Sequence, residues 1–193
     1  MDIKLKNLSK SYGSEQVLSD FNYEFKDGSF TCIMGKSGAG KTTLLRILMG
    51  LEKPDGGVIE GVKESKLSAV FQENRLCENL TALLNVRIIT DMSGKYSDSD
   101  IRRCFARIGI DTDAKKTVNE FSGGMKRRVA IVRALLADFD LLIMDEPLKG
   151  LDEETRNDVI ELIKEYTRGK TVIMTTHDTD EPEAFGAEIL DLK

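Results

Sequence analysis

Residues Gly35 to Thr42, GKSGAGKT, fit the spacing G-x-x-x-x-G-K-T. Glycines at those places let the backbone curl until successive N–H groups point inward, a geometry that cradles phosphate oxygens. Within Gly35-Lys36-Ser37-Gly38-Ala39-Gly40-Lys41-Thr42, Lys41 reaches for β- and γ-phosphates and Thr42 for Mg²⁺, and the next residue, Thr43, can bond an α-phosphate. A second chemical element is LLIMDE, Leu141 to Glu146. Its four apolar residues read as a buried strand that ends in two carboxylates. Asp145 is then poised to hold Mg²⁺, directly or through water, and Glu146 to polarise an attacking water as general base. His177, the only histidine, follows the run TVIMTT and could bond a γ-phosphate, or be a plain surface or core histidine. Gln72 could touch Mg²⁺ or the attacking water, or face solvent. Tyr12 could stack on adenine or be an ordinary core aromatic.

The surrounding pattern supplies elements to hold these groups. Ile3 and Leu5 alternate with Lys4 and Lys6, as in a half-buried strand. Phe30 to Met34 reads as a strand entering the glycine loop, and Lys41 to Met49 as a helix closed by Gly50. Leu141 to Met144 and Thr171 to Thr176 read as short buried strands. Between them Asp152 to Tyr166 reads as a capped helix with Val159, Ile160 and Ile163 on one side. Strands alternating with helices predict a parallel-sheet α/β core, where ligands bind at the C-terminal strand ends. From about Glu73 to Ala137 the periodicity is helical instead: Ile101, Cys104, Phe105 and Ile108 form one stripe, capped by SDSD before and Gly109 after. Met125, Val129, Val132 and Leu136 form another. The expectation is a single domain over 1–193, its core at about 1–72 and 138–193, with a helical lobe inserted at about 73–137.

Composition narrows the function classes. Against 28 Lys and Arg stand 33 Asp and Glu, a net charge of -5, so no global positive field draws nucleic acid. The local run Lys126-Arg127-Arg128 is expected to be the solvated face of a helix. Cys32, Cys77 and Cys104 form no C-x-x-C pair and suggest neither a disulfide framework nor a zinc site, which reads as a reduced cytosol. No apolar stretch is long enough to cross a bilayer, so work at a membrane would need an anchoring partner. With the sequence ending at Lys193, soon after His177, no regulatory C-terminal domain is expected.

Taken together, these residues resemble the ATP-binding cassette (ABC) family, specifically its nucleotide-binding subunit, over nearly the whole chain. Tyr12 matches the A-loop, Gly35 to Thr42 the Walker A loop, Gln72 the Q-loop, FSGGM at Phe121 to Met125 the signature, LLIMDE the Walker B strand, KGLD at Lys149 to Asp152 the D-loop, and His177 the H-loop. The resemblance implies a P-loop NTPase core with a mainly parallel sheet, an N-terminal antiparallel β portion and an inserted helical subdomain. It implies a head-to-tail dimer with a second copy or a homologous cassette, in which each ATP, with Mg²⁺, lies on one Walker A loop and is capped by Ser122, Gly123 and Gly124 of the other subunit. Asp152 joins the nucleotide contacts by the same resemblance. The implied activity is ATP hydrolysis that drives solute transport, import in this reading, through integral membrane permease subunits at the cytoplasmic face of the cell membrane, with a solute-binding protein as a further partner. Phe71 to Val86 is similar to importer ATPases of the nitrate, sulfonate and taurine type, although Cys77-Glu78-Asn79 stands where that group commonly has an apolar, proline-containing sequence. Phe121, Met125 and Lys149-Gly150 also depart from the usual leucine, glutamine and serine-alanine. The alternative is a mechanical switch or an extruder motor with a membrane partner. Ribosome-associated, DNA-repair and chromosome-organising cassettes need tandem domains or long coiled coils that this sequence lacks.

Overall fold

Alternating burial turns the first residues into a strand: Ile3 and Leu5 are buried while Lys4 and Lys6 are exposed. A computed structural model describes residues 2–62, 65–90, 94–112 and 116–193. Residues 1, 63–64, 91–93 and 113–115, which the expected core and helical lobe include, lie outside the described residues. In chain order the elements are β1 (Ile3–Tyr12), β2 (Glu15–Phe25), β3 (Phe30–Met34), α1 (Lys41–Leu48), β4 (Gly56–Glu60), β5 (Leu67–Val70), α2 (Ala82–Thr90) and α3 (Asp98–Arg107). There follow α4 (Gly123–Leu135), β6 (Leu141–Asp145), α5 (Glu153–Tyr166), β7 (Thr171–Thr175), α6 (Glu181–Phe185) and β8 (Glu188–Asp191).

One compact unit comprises Met1–Ala69, Phe139–Glu146 and Gly169–Lys193. It holds an antiparallel sheet ordered β2-β1-β4 and a five-stranded sheet ordered β5-β6-β7-β3-β8. The pairings of β3 with β7 and β8, and of β6 with β7, are parallel. Every residue of β6 and β7 is buried, which is why their central residues read as continuous apolar stretches rather than alternating ones. Helix α1 begins at Gly40, in the left-handed region at φ 89°, and ends where Gly50 N–H donates to Ile47 O and Leu51 N–H to Arg46 O. Its Leu44, Leu45, Ile47 and Leu48 share one core with Ile3, Leu5, Leu8, Leu18 and Phe25 of the antiparallel sheet and Ile33, Leu141, Ile143 and Ile173 of the parallel one. At about 2 kcal/mol for each buried leucine, this shared core fixes the helix against both sheets.

The other unit comprises Val70–Asp138 and Pro147–Arg168. It therefore takes in α5, a segment that the sequence reading grouped with the core. The stripe Val159, Ile160, Leu162 and Ile163 is buried, and α5 packs against α3 and α4. Helix α3 starts at a capping box in which Ser97 Oγ accepts from Asp100 N–H and Asp100 Oδ2 accepts from Ser97 N–H. Its apolar face, Ile101, Cys104 and Phe105, is buried, as the periodicity predicts.

Phe105 has no exposed surface, so Phe105→Ala should lower unfolding stability by about 3–5 kcal/mol, read as a reduced urea midpoint. Burial pushes the Cys32 thiol up to about 12 and raises that of Cys104, whereas Cys77 is exposed. In mildly alkaline solution a thiol reagent should titrate Cys77 at once, and the two buried cysteines only on unfolding.

Candidate functional site

The register of the parallel sheet brings three strand ends to one level: Thr175 lies opposite both Ile33 of β3 and Asp145 of β6. The glycine loop, the Asp145-Glu146 pair and His177 consequently leave the sheet at the same edge, the C-terminal one. Within the loop, Gly35, Gly38 and Gly40 have φ of 148°, 85° and 89°, all in the region that favours glycine. A Cβ on Gly35 would lie 2.3 Å from Leu192 O, and one on Gly40 would lie 2.6 Å from Val17 Cγ1. Glycine is thus required at both ends of the curl for space as well as for dihedral angle.

Lys41 is buried and folds over the loop, donating from Nζ to Gly35 O at 2.7 Å and Lys36 O at 2.9 Å. Burial lowers its pKa below the ordinary lysine value, and the carboxylates of Glu146 and Asp145 work against that shift. The Asp145 carboxylate is held at both oxygens: Thr175 donates to Oδ1 at 2.6 Å and Thr42 to Oδ2 at 3.0 Å. A threonine hydroxyl beside a carboxylate oxygen is a hard, all-oxygen donor pair of the kind Mg²⁺ takes when nucleotide phosphates supply further oxygens, so these residues fit that ion. Thr175 Oγ1 also accepts from Glu146 N–H at 3.0 Å. Glu146 has φ of 47°, a left-handed backbone that costs a non-glycine residue on the order of 1–3 kcal/mol. In that conformation Glu146 Oε1 stands 2.8 Å from His177 Nε2. Thr175, to which the sequence reading gave no role, is the group that joins the two acids; its only trace in the sequence is a threonine inside the strand that precedes His177.

Tyr12 is 46% exposed, which removes the core-aromatic alternative. It ends β1 at a tight hairpin, opposite Glu15. Thr42 is exposed and Thr43 half-buried at the start of α1. Lys41, Thr42, Asp145, Glu146 and His177 are therefore linked within the first unit. Gln72, Ser122, Gly123, Gly124 and Asp152 belong to the second.

In the second unit Gln72 is exposed just beyond the end of β5. Ser122 caps α4, its hydroxyl accepting from Met125 N–H at 3.2 Å, and Gly123 and Gly124 open the helix. That end carries unpaired N–H groups and the positive pole of a 13-residue helix, a ready anion site. Phe121 is buried and keeps the apolar anchor that a leucine would give. A Cβ on Gly124 would meet Gly150 O and Leu151 Cδ2, both at 3.7 Å, so the KGLD stretch borders the glycine pair. Asp152 caps α5 by accepting from Thr155 N–H at 3.0 Å, a bond that holds its carboxyl below the ordinary value.

The basic run corrects the sequence reading. Lys126 pairs with Glu78, but Arg127 is buried: its Nε donates to Pro147 O at 3.0 Å and its Nη1 to Phe71 O. Arg128 is half-buried and donates from Nη1 to Ile108 O and from Nε to Gly124 O. Carbonyls of irregular segments have no ladder partner, and a guanidinium has five donors with which to satisfy them. Arg127 and Arg128 are internal clamps, and Lys126 alone keeps a surface pairing.

The chain is similar to known proteins over most of its length. The sequence profile described as ABC transporter matches residues 18–149. The chain is 38% identical over 194 residues to the aliphatic sulfonates import ATP-binding protein SsuB 1 of Paraburkholderia xenovorans, a match covering 97% of this chain and 56% of that protein, so it spans little more than half of that relative's length. It is also 38% identical over 196 residues to the lipoprotein-releasing system ATP-binding protein LolD of Bacteroides thetaiotaomicron, covering 91% of this chain and 90% of the relative. Among solved structures, a dimeric post-hydrolysis state of the ATP-binding cassette MJ0796, bound to ADP and Pi, superposes with a TM-score of 0.85 at 31% identity, covering 99% of this chain and 94% of that one.

The clamp reading makes a contrast between neighbouring residues. Arg127→Met should cost about 2 kcal/mol or more, because buried carbonyls lose a charged donor, whereas Lys126→Met should stay within about 0.5 kcal/mol. Urea unfolding of the two variants measures both.

Proposed function

Because the chain belongs to the ABC transporter family, we propose that it is the ATP-binding subunit of a transporter and hydrolyses ATP in a head-to-tail dimer to drive solute movement through separate membrane permease subunits. The observation that carries this reading is the contact between Glu146 Oε1 and His177 Nε2 at 2.8 Å, at the strand edge where the glycine loop also emerges.

In this scheme the inward N–H groups of Gly35 to Thr42, Lys36, Ser37 and Ala39 among them, bind the β- and γ-phosphates. Lys41 exchanges its bonds to Gly35 O and Lys36 O for phosphate oxygens, and Thr43 bonds the α-phosphate. Tyr12 stacks on adenine. Thr42 and Asp145 would hold Mg²⁺ with Gln72, and the ion when bound neutralises charge on the transferring phosphoryl group. Glu146 takes the proton of the attacking water, and His177 orients Glu146 and bonds the γ-phosphate. Ser122, Gly123 and Gly124 of a second copy, or of a homologous cassette, cap the nucleotide with a hydroxyl, free N–H groups and a helix N-terminus, and Asp152 adjoins them. Separating Glu146 from its proton acceptor role while leaving the phosphate cradle intact should therefore uncouple binding from turnover.

Among the described residues no helix is long and apolar enough to cross a membrane. The subunit is accordingly proposed to sit at the cytoplasmic face of the membrane, held by its permease. Likeness to a sulfonate import protein supports import, with a solute-binding protein as a further partner. Equal identity to a lipoprotein-releasing protein supports the second reading, an extruder or mechanical motor. Co-purifying the chain with its membrane partner and identifying that partner distinguishes the two.

Glu146→Gln should slow ATP hydrolysis at least about 100-fold while trapping an ATP-dependent dimer visible by light scattering. Lys41→Ala should remove ATP binding altogether. Hydrolysis by Glu146→Gln at the wild-type rate would overturn the general-base assignment.

A further inference from the structure

Lys10 is a lysine that the core has nearly swallowed. Only 9% of the residue is exposed, although it lies two residues before Tyr12 at the end of β1. Its ammonium has three protein acceptors, Lys53 O at 2.9 Å, Glu52 Oε1 at 3.0 Å and Asp55 Oδ1 at 3.1 Å. An ammonium has three N–H bonds, so each is matched to an acceptor and the charge is fixed in place. Its hydrogen bonds to the Glu52 and Asp55 carboxylates raise its pKa above the ordinary lysine value, which keeps it charged. Asp55 also ties down the strand itself, accepting from Ser11 N–H at 2.7 Å while its own N–H donates to Ser9 O at 2.8 Å.

The fixed cation stands against Tyr12. Residues two apart share one face of a strand, and Lys10 Nζ lies 5.3 Å from the Tyr12 ring centroid, within cation–π range. Tyr12 nevertheless keeps nearly half its surface in solvent. Its hairpin is also tied to the phosphate loop, because Val17 of β2 packs so closely on Gly40 that no Cβ would fit between them. The residues that hold Lys10, Glu52 to Asp55, follow α1, whose N-terminal end opens from that loop. A ring backed by a buried cation, half open to solvent and braced against a phosphate loop from two directions, suits the flat base of a nucleotide whose phosphates lie in the loop. A cation on one side of the ring also draws π-density toward itself, which eases face-to-face approach of a second π-system.

We propose that Lys10, clamped by Glu52, Asp55 and Lys53 O, is a positioning residue for base recognition: it sets the Tyr12 ring for the purine of the bound nucleotide. This rests on the adenine-stacking reading of Tyr12 given above. Lys10 touches no phosphate in this scheme, so its effect is confined to the base end of the ligand.

The test is a calorimetric titration of ATP and of inorganic tripolyphosphate, which has the phosphates and no base, into the wild-type chain, Lys10→Met, Lys10→Arg, Tyr12→Ala and the Lys10→Met, Tyr12→Ala double variant. Lys10→Met should weaken ATP binding about threefold to fivefold, leave tripolyphosphate binding unchanged, and have no further effect once Tyr12 is alanine. Lys10→Arg, which keeps a cation beside the ring, should recover ATP affinity. Equal losses for ATP and tripolyphosphate, or an undiminished loss in the Tyr12→Ala background, would mark Lys10 as a general scaffold residue and overturn the proposal. A silent Lys10→Met beside a damaging Tyr12→Ala would overturn the role of Lys10 alone, whereas a silent Tyr12→Ala would overturn the adenine reading beneath it.

Discussion

The Thr175 hydroxyl, buried at the end of β7, donates to Asp145 Oδ1 and accepts from Glu146 N–H. This one group holds two neighbouring acids in different orientations. Asp145, the last residue of β6, turns toward Thr42 at the start of α1, while Glu146 leaves the strand with a left-handed backbone and turns toward His177. Without the hydroxyl the Glu146 N–H would lose its partner, and the strained dihedral would lose one of the bonds that hold it. The hydroxyl can serve both acids only because β6 and β7 run parallel with Asp145 opposite Thr175. A shift of one residue in that register would put a different side chain between them and turn the faces of the strand over.

Much of this arrangement was legible in the sequence wherever the cause is local. The apolar runs of β3, β6 and β7, the capping box at Ser97, the glycine closing α1 and the stripe on α3 all come from neighbours within a few residues of one another. Ordered along a parallel sheet, they also imply that the glycine loop, Asp145, Glu146 and His177 meet at one edge. The groups that escaped are held by distant main-chain atoms. Arg127 reaches carbonyls that are 20 and 56 positions away, and Arg128 one that is 20 away. Carbonyl oxygens are the same in every residue, so no pattern of side chains announces them, and three consecutive basic residues in a polar context read as solvated. Thr175 escaped for a related reason: a threonine in a β-strand is ordinary by propensity, and its partners lie on another strand. Tyr12 was undecided because an aromatic at a strand end serves equally as core or as surface, and only its exposure separates the two.

The arginines of α4 also explain how a helix with so few apolar residues in its first turn stays in place. Arg127, Arg128 and Arg133 bind main-chain oxygens of Phe71, Asn74, Arg75, Ile108, Gly124 and Pro147. Apart from that of Gly124, which belongs to α4 itself, these oxygens lie in segments without regular ladder partners, and the guanidinium N–H groups supply the missing donors. The helix that presents Ser122 and the two glycines is in this way fastened to the loop bearing Gln72 and to the turn after Glu146, all within one unit. Departures of the signature at Phe121 and Met125 leave that fastening untouched, since neither side chain takes part in it.

Strand β3, which delivers the chain into the phosphate loop, is paired on both sides by strands from the last part of the sequence, β7 and β8. Leu192 N–H donates to Met34 O, and Leu192 O stands where any side chain on Gly35 would have to be. The first glycine of the loop therefore acquires its surroundings from a residue made more than 150 positions later. On a ribosome, which releases the chain from its N-terminus, residues 35–42 emerge early yet remain without a frame until residue 192 is clear of the exit tunnel. The long loop closures involved make this sheet a late and slow step of folding.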